Sequence, residues 1–254
     1  MGKVILLGNQ KGGVGKTATT GILAWILSQN YKVLCVDMDM QAHLTYMLTL
    51  NKWRHYAGQD VLTAMQNGDA RPYIINGILA DKGHHLSLLP ASEMLATLKV
   101  IDNDYGKLER ILAPIKEEFD VILIDTPPSL GDPLITSMMA ADEVVCITLT
   151  KGLAIDGMLQ FTERISSYRQ YRPQLRFLGV LICIFEKSKK HLNFADQIRK
   201  YYDQFNANFE ATIYKRAKID DITTKGIGSI KKADHSALQQ YFEFAKELMT
   251  RVKK

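Results

Sequence analysis

The stretch Lys11-Gly12-Gly13-Val14-Gly15-Lys16-Thr17 lies between an apolar run and an amphipathic one. The apolar run, Val4 to Gly8, predicts a buried strand, and the pattern from Ala18 to Gln29 predicts a helix. Glycines in such a loop let main-chain N–H groups approach an anion without hindrance from Cβ atoms. The first turn of the helix adds unpaired N–H groups and the positive end of its dipole. The order strand, glycine loop, helix therefore predicts a phosphate-binding loop.

Two polar side chains at the end of this loop fit the same chemistry. The ammonium of Lys16 can reach the β- and γ-phosphates of a nucleotide, and the hydroxyl of Thr17 can bind Mg²⁺. The alternative is a glycine-rich turn with two solvated lysines, which the flanking strand and helix disfavour. The residues predicted to bind the nucleotide are Lys11, Gly12, Gly13, Val14, Gly15, Lys16, Thr17 and Ala18.

The loop departs from the common G-x-x-x-x-G-K-[ST] pattern at its start, because Gln10 replaces the first glycine and Lys11 adds a second lysine. This form resembles the deviant Walker A loop of the ParA/MinD family of P-loop ATPases, which belong to the SIMIBI group. The resemblance implies ATP as the substrate and a homodimer that forms with ATP. It also implies that Lys11 crosses the dimer interface to the phosphates held by the other subunit.

A second motif follows the next predicted strand, Lys32 to Asp37. The family pattern D-x-D-P-Q-x-N-x-T is matched at Asp37, Asp39, Gln41 and Thr45, whereas Met40 and His43 replace the proline and the asparagine. The resemblance assigns Asp39 to the hydrolytic water and the Mg²⁺ region, and the loss of the proline leaves the rate of hydrolysis open. The alternative is that Asp37 and Asp39 are strand-end carboxylates that cap the next helix.

A third motif, Asp120 to Pro128, is a run of buried β-branched residues that ends in a carboxylate, as in a Walker B strand. Asp125 is expected at the edge of the sheet beside the phosphate loop, where it would hold Mg²⁺ through a water. The segment from Thr126 to Gly131 resembles a switch that senses the γ-phosphate. The resemblance thus implies catalytic roles for Lys11, Lys16, Asp39 and Asp125, and a metal site formed by Thr17, Asp39 and Asp125.

The alternation of strands and helices along the 254 residues predicts an α/β fold, with a doubly wound, mostly parallel sheet covered by helices on both faces. No linker composition divides the chain, so we expect a single ATPase domain over residues 1–254. We expect no N-terminal helix-turn-helix domain, since the loop begins at residue 11. Residues 46–85 are the least readable part, and His84 and His85 are interpreted as solvated loop residues.

The charge is uneven, because the part from Lys187 onward carries 15 Lys and Arg against 8 Asp and Glu, within a net charge of +5. A basic surface suggests an anionic partner, although solvated lysines explain the charge equally well. The family resemblance favours contacts with the phosphates of non-specific DNA. The residues predicted to bind DNA are Lys187, Lys189, Lys190, Lys215, Arg216 and Lys218.

The last predicted helix, Ser236 to Val252, could dock on the sheet or bind a membrane, as in MinD-type relatives. Its long regular apolar stripe favours docking, so we expect no membrane partner. The family resemblance implies a ParB-like adaptor that accelerates slow hydrolysis and a role in plasmid or chromosome partition. The alternatives are a MinD-like or cargo-positioning ATPase on a membrane, a metabolic or reductase relative, and a regulator that binds ATP but barely hydrolyses it.

Cys35, Cys146 and Cys183 each lie within an apolar run and show no C-x-x-C spacing. We interpret them as buried thiols of a reducing compartment, which argues against the reductase alternative. With no signal peptide in the sequence, we expect a cytoplasmic protein that associates with the nucleoid when ATP is bound.

Overall fold

The computed structural model describes residues 2–253, apart from the side chains of residues 152–155. The strands are β1 (Lys3–Gly8), β2 (Val33–Asp37), β3 (Ile75–Ile78), β4 (Leu86–Leu89), β5 (Val121–Asp125), β6 (Glu143–Thr148), β7 (Arg176–Phe185) and β8 (Asn208–Tyr214). The helices are α1 (Lys16–Leu27), α2 (His43–Thr49), α3 (Val61–Asn67), α4 (Lys107–Leu112), α5 (Asp132–Ala140), α6 (Gly152–Tyr168), α7 (Lys189–Asp203), α8 (Ala217–Lys225) and α9 (Gln239–Val252).

The strands form one eight-stranded sheet in the order β3-β4-β2-β5-β1-β6-β7-β8. Every pairing is parallel except that of β3 with β4. The central strands β2, β5 and β6 are buried along their whole length, as expected for a sheet covered on both faces. The predicted doubly wound, mostly parallel α/β fold is therefore confirmed.

Apolar side chains alternate between the two faces of the sheet, because successive residues of a strand point to opposite sides. In β1, Ile5 and Leu7 pack with residues of α1, α2, α8 and α9. Val4 and Leu6 pack on the other side, where α3 to α7 supply the apolar residues. The result is a three-layer arrangement with two hydrophobic cores.

The centre of the sheet brings the three sequence motifs to one edge. Strand β1 lies between β5 and β6, and Leu7 is in register with Asp125. Asp125 is in turn in register with Asp37 at the end of β2. The phosphate loop and both strand-end carboxylates therefore meet at the carboxyl edge, where open α/β sheets bind their ligands.

Several helix boundaries differ from those predicted. The apolar stripe between Leu108 and Ile115 predicts one helix over residues 105–118, but the structure divides it into α4 and a 3₁₀ segment, Ala113–Glu118, because Pro114 cannot donate a main-chain hydrogen bond. The stretch from Ser92 to Val100 contains only a 3₁₀ turn, Glu93–Thr97. The final helix, α9, begins at Gln239, three residues after the predicted start.

The expectation for His84 is wrong, whereas His85 is exposed as expected. The ring of His84 is buried, its Nδ1 lies 2.8 Å from the Ser28 hydroxyl, and the ring packs at 5.5 Å from that of Trp25. Burial lowers the pKa of this imidazole below its ordinary value. His84 therefore closes the C-terminal end of α1.

The helix α9 is docked, with Tyr241, Phe244 and Leu248 buried against the sheet. Across residues 2–253, none of the helices has both the length and the apolar character that crossing a bilayer requires.

Candidate nucleotide-binding site

The base of the phosphate loop is held by Asn9, which directly follows β1. Its amide Nδ2 donates to the carbonyl oxygen of Ile147 on β6 at 2.7 Å, and its Oδ1 accepts from the main-chain N–H of Lys11 at 3.0 Å. Asn9 is fully buried, so these bonds fix the direction in which the chain leaves the sheet.

The glycines give the loop a backbone shape that other residues rarely adopt. Gly13 and Gly15 have φ angles of 71° and 94°, in the left-handed region. A Cβ atom at Gly13 would meet no atom within 4 Å, so the loop faces open space there. Gly15 caps α1 without any side-chain hydrogen bond, which leaves the first N–H groups of the helix free of a side-chain cap. The loop therefore fits a phosphate group.

The side chain of Lys16 folds back into its own loop. Its Nζ donates to the carbonyl oxygen of Lys11 at 3.0 Å, and the residue is only 6% exposed. Burial lowers the pKa of this ammonium, and the nearby carboxylates Asp125 and Asp39 oppose that shift. The positive charge is thus placed at the carboxyl edge of the sheet before any substrate binds.

Asp125 accepts hydrogen bonds from hydroxyl groups in the first two turns of α1. Thr17 Oγ1 donates to its Oδ2 at 2.7 Å, and Thr20 Oγ1 donates to its Oδ1 at 3.3 Å. Burial, reinforced by the neighbouring Asp37, raises the pKa of Asp125 to about 8. A cation at this position would relieve the desolvation cost of the carboxylate.

Mg²⁺ prefers oxygen ligands and is commonly held by one or two carboxylates together with phosphates and water. The hydroxyl of Thr17 and the carboxylate of Asp125 form such a set, and Asp39 lies near enough to Lys16 to influence its pKa. Within residues 2–253, no group of three or more His, Cys, Asp or Glu side chains is arranged to hold a metal. The residues present therefore fit a magnesium ion that is shared with phosphates.

The structure separates the two carboxylates of the second motif. Asp37 caps α2, since its Oδ2 accepts from both the N–H and the hydroxyl of Thr45 at 2.8 Å. Burial raises the pKa of Asp37 to about 6. Asp39 is 8% exposed, and its Oδ1 accepts a hydrogen bond from the N–H of Gln41 at 3.0 Å. The capping alternative therefore holds for Asp37, whereas Asp39 keeps a second carboxylate oxygen that is available to contact a bound group.

Lys11 differs from Lys16 in its surroundings. Its side chain is partly exposed, and no ion pair of its ammonium occurs among the residues that the structure describes. Its neighbour Gly12 approaches Pro128 of the third motif, whose Cβ would lie 3.6 Å from an added Cβ. Met40, which stands where the family pattern has proline, is 40% exposed.

Two of these residues were not singled out from the sequence. Asn9 anchors the loop, and Thr20 gives Asp125 its second hydroxyl. Thr20 lies four residues after Lys16, on the same helix face, so helical periodicity offered a signal for it. Nothing in the sequence marked Asn9, because its partner Ile147 is 138 residues away.

The predicted DNA-binding residues lie around the carboxyl ends of β7 and β8; we call them the basic cluster: Lys187, Lys189, Lys190, Lys215, Arg216 and Lys218. Three of them, Lys187, Lys215 and Arg216, line one open cavity of about 720 Å³. Lys189 and Lys190 begin α7, next to Lys187 in the chain.

Part of the charge of the basic cluster is balanced within the chain. Lys215 pairs with Glu186 at 3.1 Å, and Lys218 pairs with Asp234 at 3.0 Å. The ammonium of Lys187 lies 5.3 Å from the centre of the Tyr214 ring. Arg216 is exposed at the start of α8, and its guanidinium has no ion pair within residues 2–253. Arg216, like Lys189 and Lys190, is therefore exposed and without an ion pair among residues 2–253, which leaves it able to contact an external anion.

Comparison with known proteins places this geometry in a family. The sequence model of the AAA domain family matches residues 2–177. The chain is 29% identical over 259 residues to the chromosome partitioning protein ParA of Myxococcus xanthus, covering 99% of this chain and 89% of that protein. It is 28% identical over 258 residues to the sporulation initiation inhibitor protein Soj of Bacillus subtilis, covering 98% of each.

Solved structures similar to this chain include proteins with bound nucleotides or nucleotide analogues. A plasmid partition protein of Borrelia burgdorferi B31 bound to AMPPNP is similar with a TM-score of 0.82 and 22% identity, over 99% of this chain and 100% of that one. Cobyrinic acid a,c-diamide synthase of Mycobacterium smegmatis, with a bound ATP analogue and magnesium, has a TM-score of 0.80 and 27% identity over 100% and 97%. The chain belongs to the AAA domain family, and it is a P-loop ATPase of the ParA/Soj type.

Proposed function

We propose that this chain is a partition ATPase: a single-domain switch that dimerises with ATP, binds non-specific DNA in that state and resets by slow hydrolysis. The observation that carries the proposal is the contrast between the two lysines of the loop. Lys16 is buried on the carbonyl of Lys11, whereas the Lys11 ammonium is partly exposed at the same edge of the sheet. The relatives ParA and Soj, which align with nearly the whole chain, support a role in partition.

The binding step uses contacts that already exist. The N–H groups of the glycine loop and of the first turn of α1 would surround the phosphates, and Lys16 would exchange the Lys11 carbonyl for a phosphate oxygen. Thr17 and Asp125 would hold Mg²⁺, which supplies positive charge to the β- and γ-phosphates when it is bound.

Dimerisation would follow from the charge of the γ-phosphate. Lys11 of each subunit would reach the phosphates of the other, so that two copies close face to face over two nucleotides. An ion pair that excludes water at such an interface is stronger than one at an open surface. ATP would therefore favour the dimer more than ADP, and this difference in affinity sets how far the equilibrium shifts.

Hydrolysis would depend on Asp39, whose carboxylate is close enough to Lys16 to influence it and bonds to the Gln41 N–H. That carboxylate would orient the attacking water. As the family resemblance implies, we expect a low intrinsic rate that a ParB-like adaptor raises.

The DNA step would use the basic cluster. Closing the dimer would join the exposed Arg216 and its neighbours Lys187 and Lys215 from both subunits into one surface. Contacts to phosphates carry no sequence code, so binding would be non-specific and would weaken steeply with salt. A cytoplasmic protein with this property would associate with the nucleoid while ATP is bound.

The test combines sedimentation with DNA retention. The purified chain is expected to sediment as a dimer with ATP and Mg²⁺ and as a monomer with ADP, and to retain random-sequence DNA only with ATP. Retention should fall about 1,000-fold or more between 50 and 200 mM salt if six or more phosphates are contacted. A chain that stays monomeric with ATP would contradict the proposal.

One observation favours a second candidate. The synthase of M. smegmatis, an enzyme of small-molecule metabolism, shares the fold and 27% identity along the chain. A metabolic role would couple ATP to amide formation on a carboxylate substrate. In a metabolic role, ATP turnover would depend on product formation and would not change when DNA is added. In the partition role, the chain would retain DNA only when ATP is bound. The membrane alternative is less favoured, because the apolar face of α9 is buried and would have to leave the sheet before it could insert into a lipid surface.

A further inference from the structure

Helix α2 lies between α1, which carries Lys16, and α8, which follows Arg216. Its first turn is held at the nucleotide edge of the sheet, because Asp37 accepts both the N–H and the hydroxyl of Thr45. The same hydroxyl accepts from the N–H of Ala91 at 3.0 Å, at the end of β4. The position of α2 is therefore tied to the strand ends that surround the phosphate loop.

On one side, α2 packs against α1 with no free space. A Cβ atom at Gly21 of α1 would lie 2.7 Å from Sδ and 2.9 Å from Cε of Met47. These two atoms are the flexible end of the Met47 side chain, so the space beside Gly21 is filled by a side chain of α2. A displacement of α1 would therefore disturb the packing of Met47.

On the other side, the end of α2 packs against the end of α8. Leu50 terminates α2 in a left-handed conformation, with φ of 60°. A Cβ atom at Gly226, which ends α8, would lie 2.7 Å from Cδ2 of Leu50 and 3.1 Å from the carbonyl oxygen of Met47. Leu50 is 54% exposed, so its contact with Gly226 is not explained by burial in the core.

We propose that Leu50 and Gly226 form a positioning contact through which nucleotide binding at α1 and Asp39 alters the placement of α8 and hence of Arg216. Helix α8 follows Arg216 directly, and its buried residue Ile222 belongs to the same apolar core as Leu44 and Met47. The inference deepens the proposed function, since it assigns the route by which ATP controls the DNA surface. Close-packed helices transmit such shifts because the core between them cannot be compressed.

The experiment measures hydrogen exchange of α8 amides in the full chain, with and without ATP and Mg²⁺, in the absence of DNA. In the wild type, ATP is expected to slow exchange in α8 about tenfold, within the usual range of coupling between sites. Leu50→Ala should reduce this effect to less than about twofold, while ATP affinity stays within about twofold of the wild type. Leu50→Met, which keeps the contact volume, should restore the response.

Two controls separate the contact from general damage. Ile101→Ala removes another exposed apolar side chain, 68% exposed and outside α2 and α8, and should leave the α8 response unchanged. Gly68→Ala alters a helix-ending glycine with a φ of 75° and no neighbour within 4 Å of the added Cβ, and it should also leave the α8 response unchanged.

The inference is overturned if wild-type α8 shows no response to bound ATP, or if Leu50→Ala responds fully. Because the readout needs no DNA, a wild type that responds in α8 but does not retain DNA would overturn the proposed function and leave the coupling standing. A wild type without affinity for ATP would overturn both.

Discussion

The ammonium of Lys16 lies 3.0 Å from the main-chain carbonyl oxygen of Lys11, so one lysine of the loop is anchored on the backbone of the other. The contact explains how a buried ammonium is kept satisfied without a bound anion. It also separates the tasks of the two side chains, since Lys16 points into the site and Lys11 is partly exposed.

Lys16→Ala is expected to lower the affinity for ATP about 100-fold, because a charge-assisted bond to phosphate and a buried cation that influences Asp125 are removed together. Isothermal calorimetry with ATP and Mg²⁺ measures the change. Lys52→Ala, which changes an exposed lysine far along the chain, serves as the control. Unchanged affinity in Lys16→Ala would remove the assignment of the phosphate loop.

Lys11→Ala is expected to keep ATP affinity within about threefold of the wild type and to abolish the ATP-dependent dimer. The physical reason is that its ammonium makes no ion pair within the described chain and would act across the interface. Analytical ultracentrifugation with ATP distinguishes the two states. A normal dimer in this variant would show that Lys11 does not contribute to closure.

Asp39→Ala is expected to bind ATP but to hydrolyse it about 100-fold more slowly, the usual effect of losing one group that positions or deprotonates water. A longer-lived dimer should accompany the slow rate. Phosphate release and dimer lifetime measure the two effects. The matched variant is Asp37→Asn, which changes the carboxylate that caps α2 and should lower stability more than it lowers turnover.

Arg216→Ala is expected to weaken retention of random DNA about fivefold at 150 mM salt and to lower the salt slope by about 1, while the ATP-dependent dimer persists. Lys218→Ala makes the useful comparison, because Lys218 is already paired with Asp234 and should contribute less. Fluorescence anisotropy at several salt concentrations measures both quantities. Equal effects of the two variants would argue that the basic cluster acts only through its total charge.

Glu143→Gln is expected to raise the free energy of unfolding relative to the wild type more at pH 8 than at pH 4. Burial raises the pKa of Glu143 even though Arg176 and Lys3 oppose the shift, and its Oε2 has no hydrogen-bond partner among the described residues. Since the native state holds this proton to a higher pH than the unfolded chain does, the group supports stability at low pH. That support is lost as the pH rises through the raised native pKa.

Urea unfolding of the wild type and Glu143→Gln at a series of pH values tests the direction of this pH dependence. Glu243→Gln, at an exposed position on α9, provides the control. A wild type and a Glu143→Gln variant whose difference in unfolding free energy did not grow with pH would contradict the assignment.

The motifs were readable from sequence because their chemistry depends on neighbours along the chain. The phosphate loop needs glycines and a helix start within a few residues, and the strand that ends at Asp125 is recognised from its continuous apolar run. These local patterns also predicted the fold class, since alternating strands and helices leave few parallel arrangements. The catalytic, metal and DNA-binding roles of the individual residues remain predictions.

Other features depended on contacts between distant segments. Sequence periodicity does not reveal that the His84 ring packs inward against Ser28. It also does not reveal that Asp37 caps α2 while Asp39 keeps a carboxylate oxygen available at the site. The partners of these groups are supplied by the fold, and a polar loop residue has no local signature of the pocket that receives it.

The sequence alone determined which chemistry the chain could perform, because the backbone shape of a phosphate loop depends on glycines and lysines that are close together in the chain. The tertiary structure decided which groups meet: Asn9 with Ile147, Asp125 with Thr20, and Leu50 with Gly226. The physical reason is that close packing joins residues that are far apart in the chain, and only the assembled sheet and its helices fix those distances.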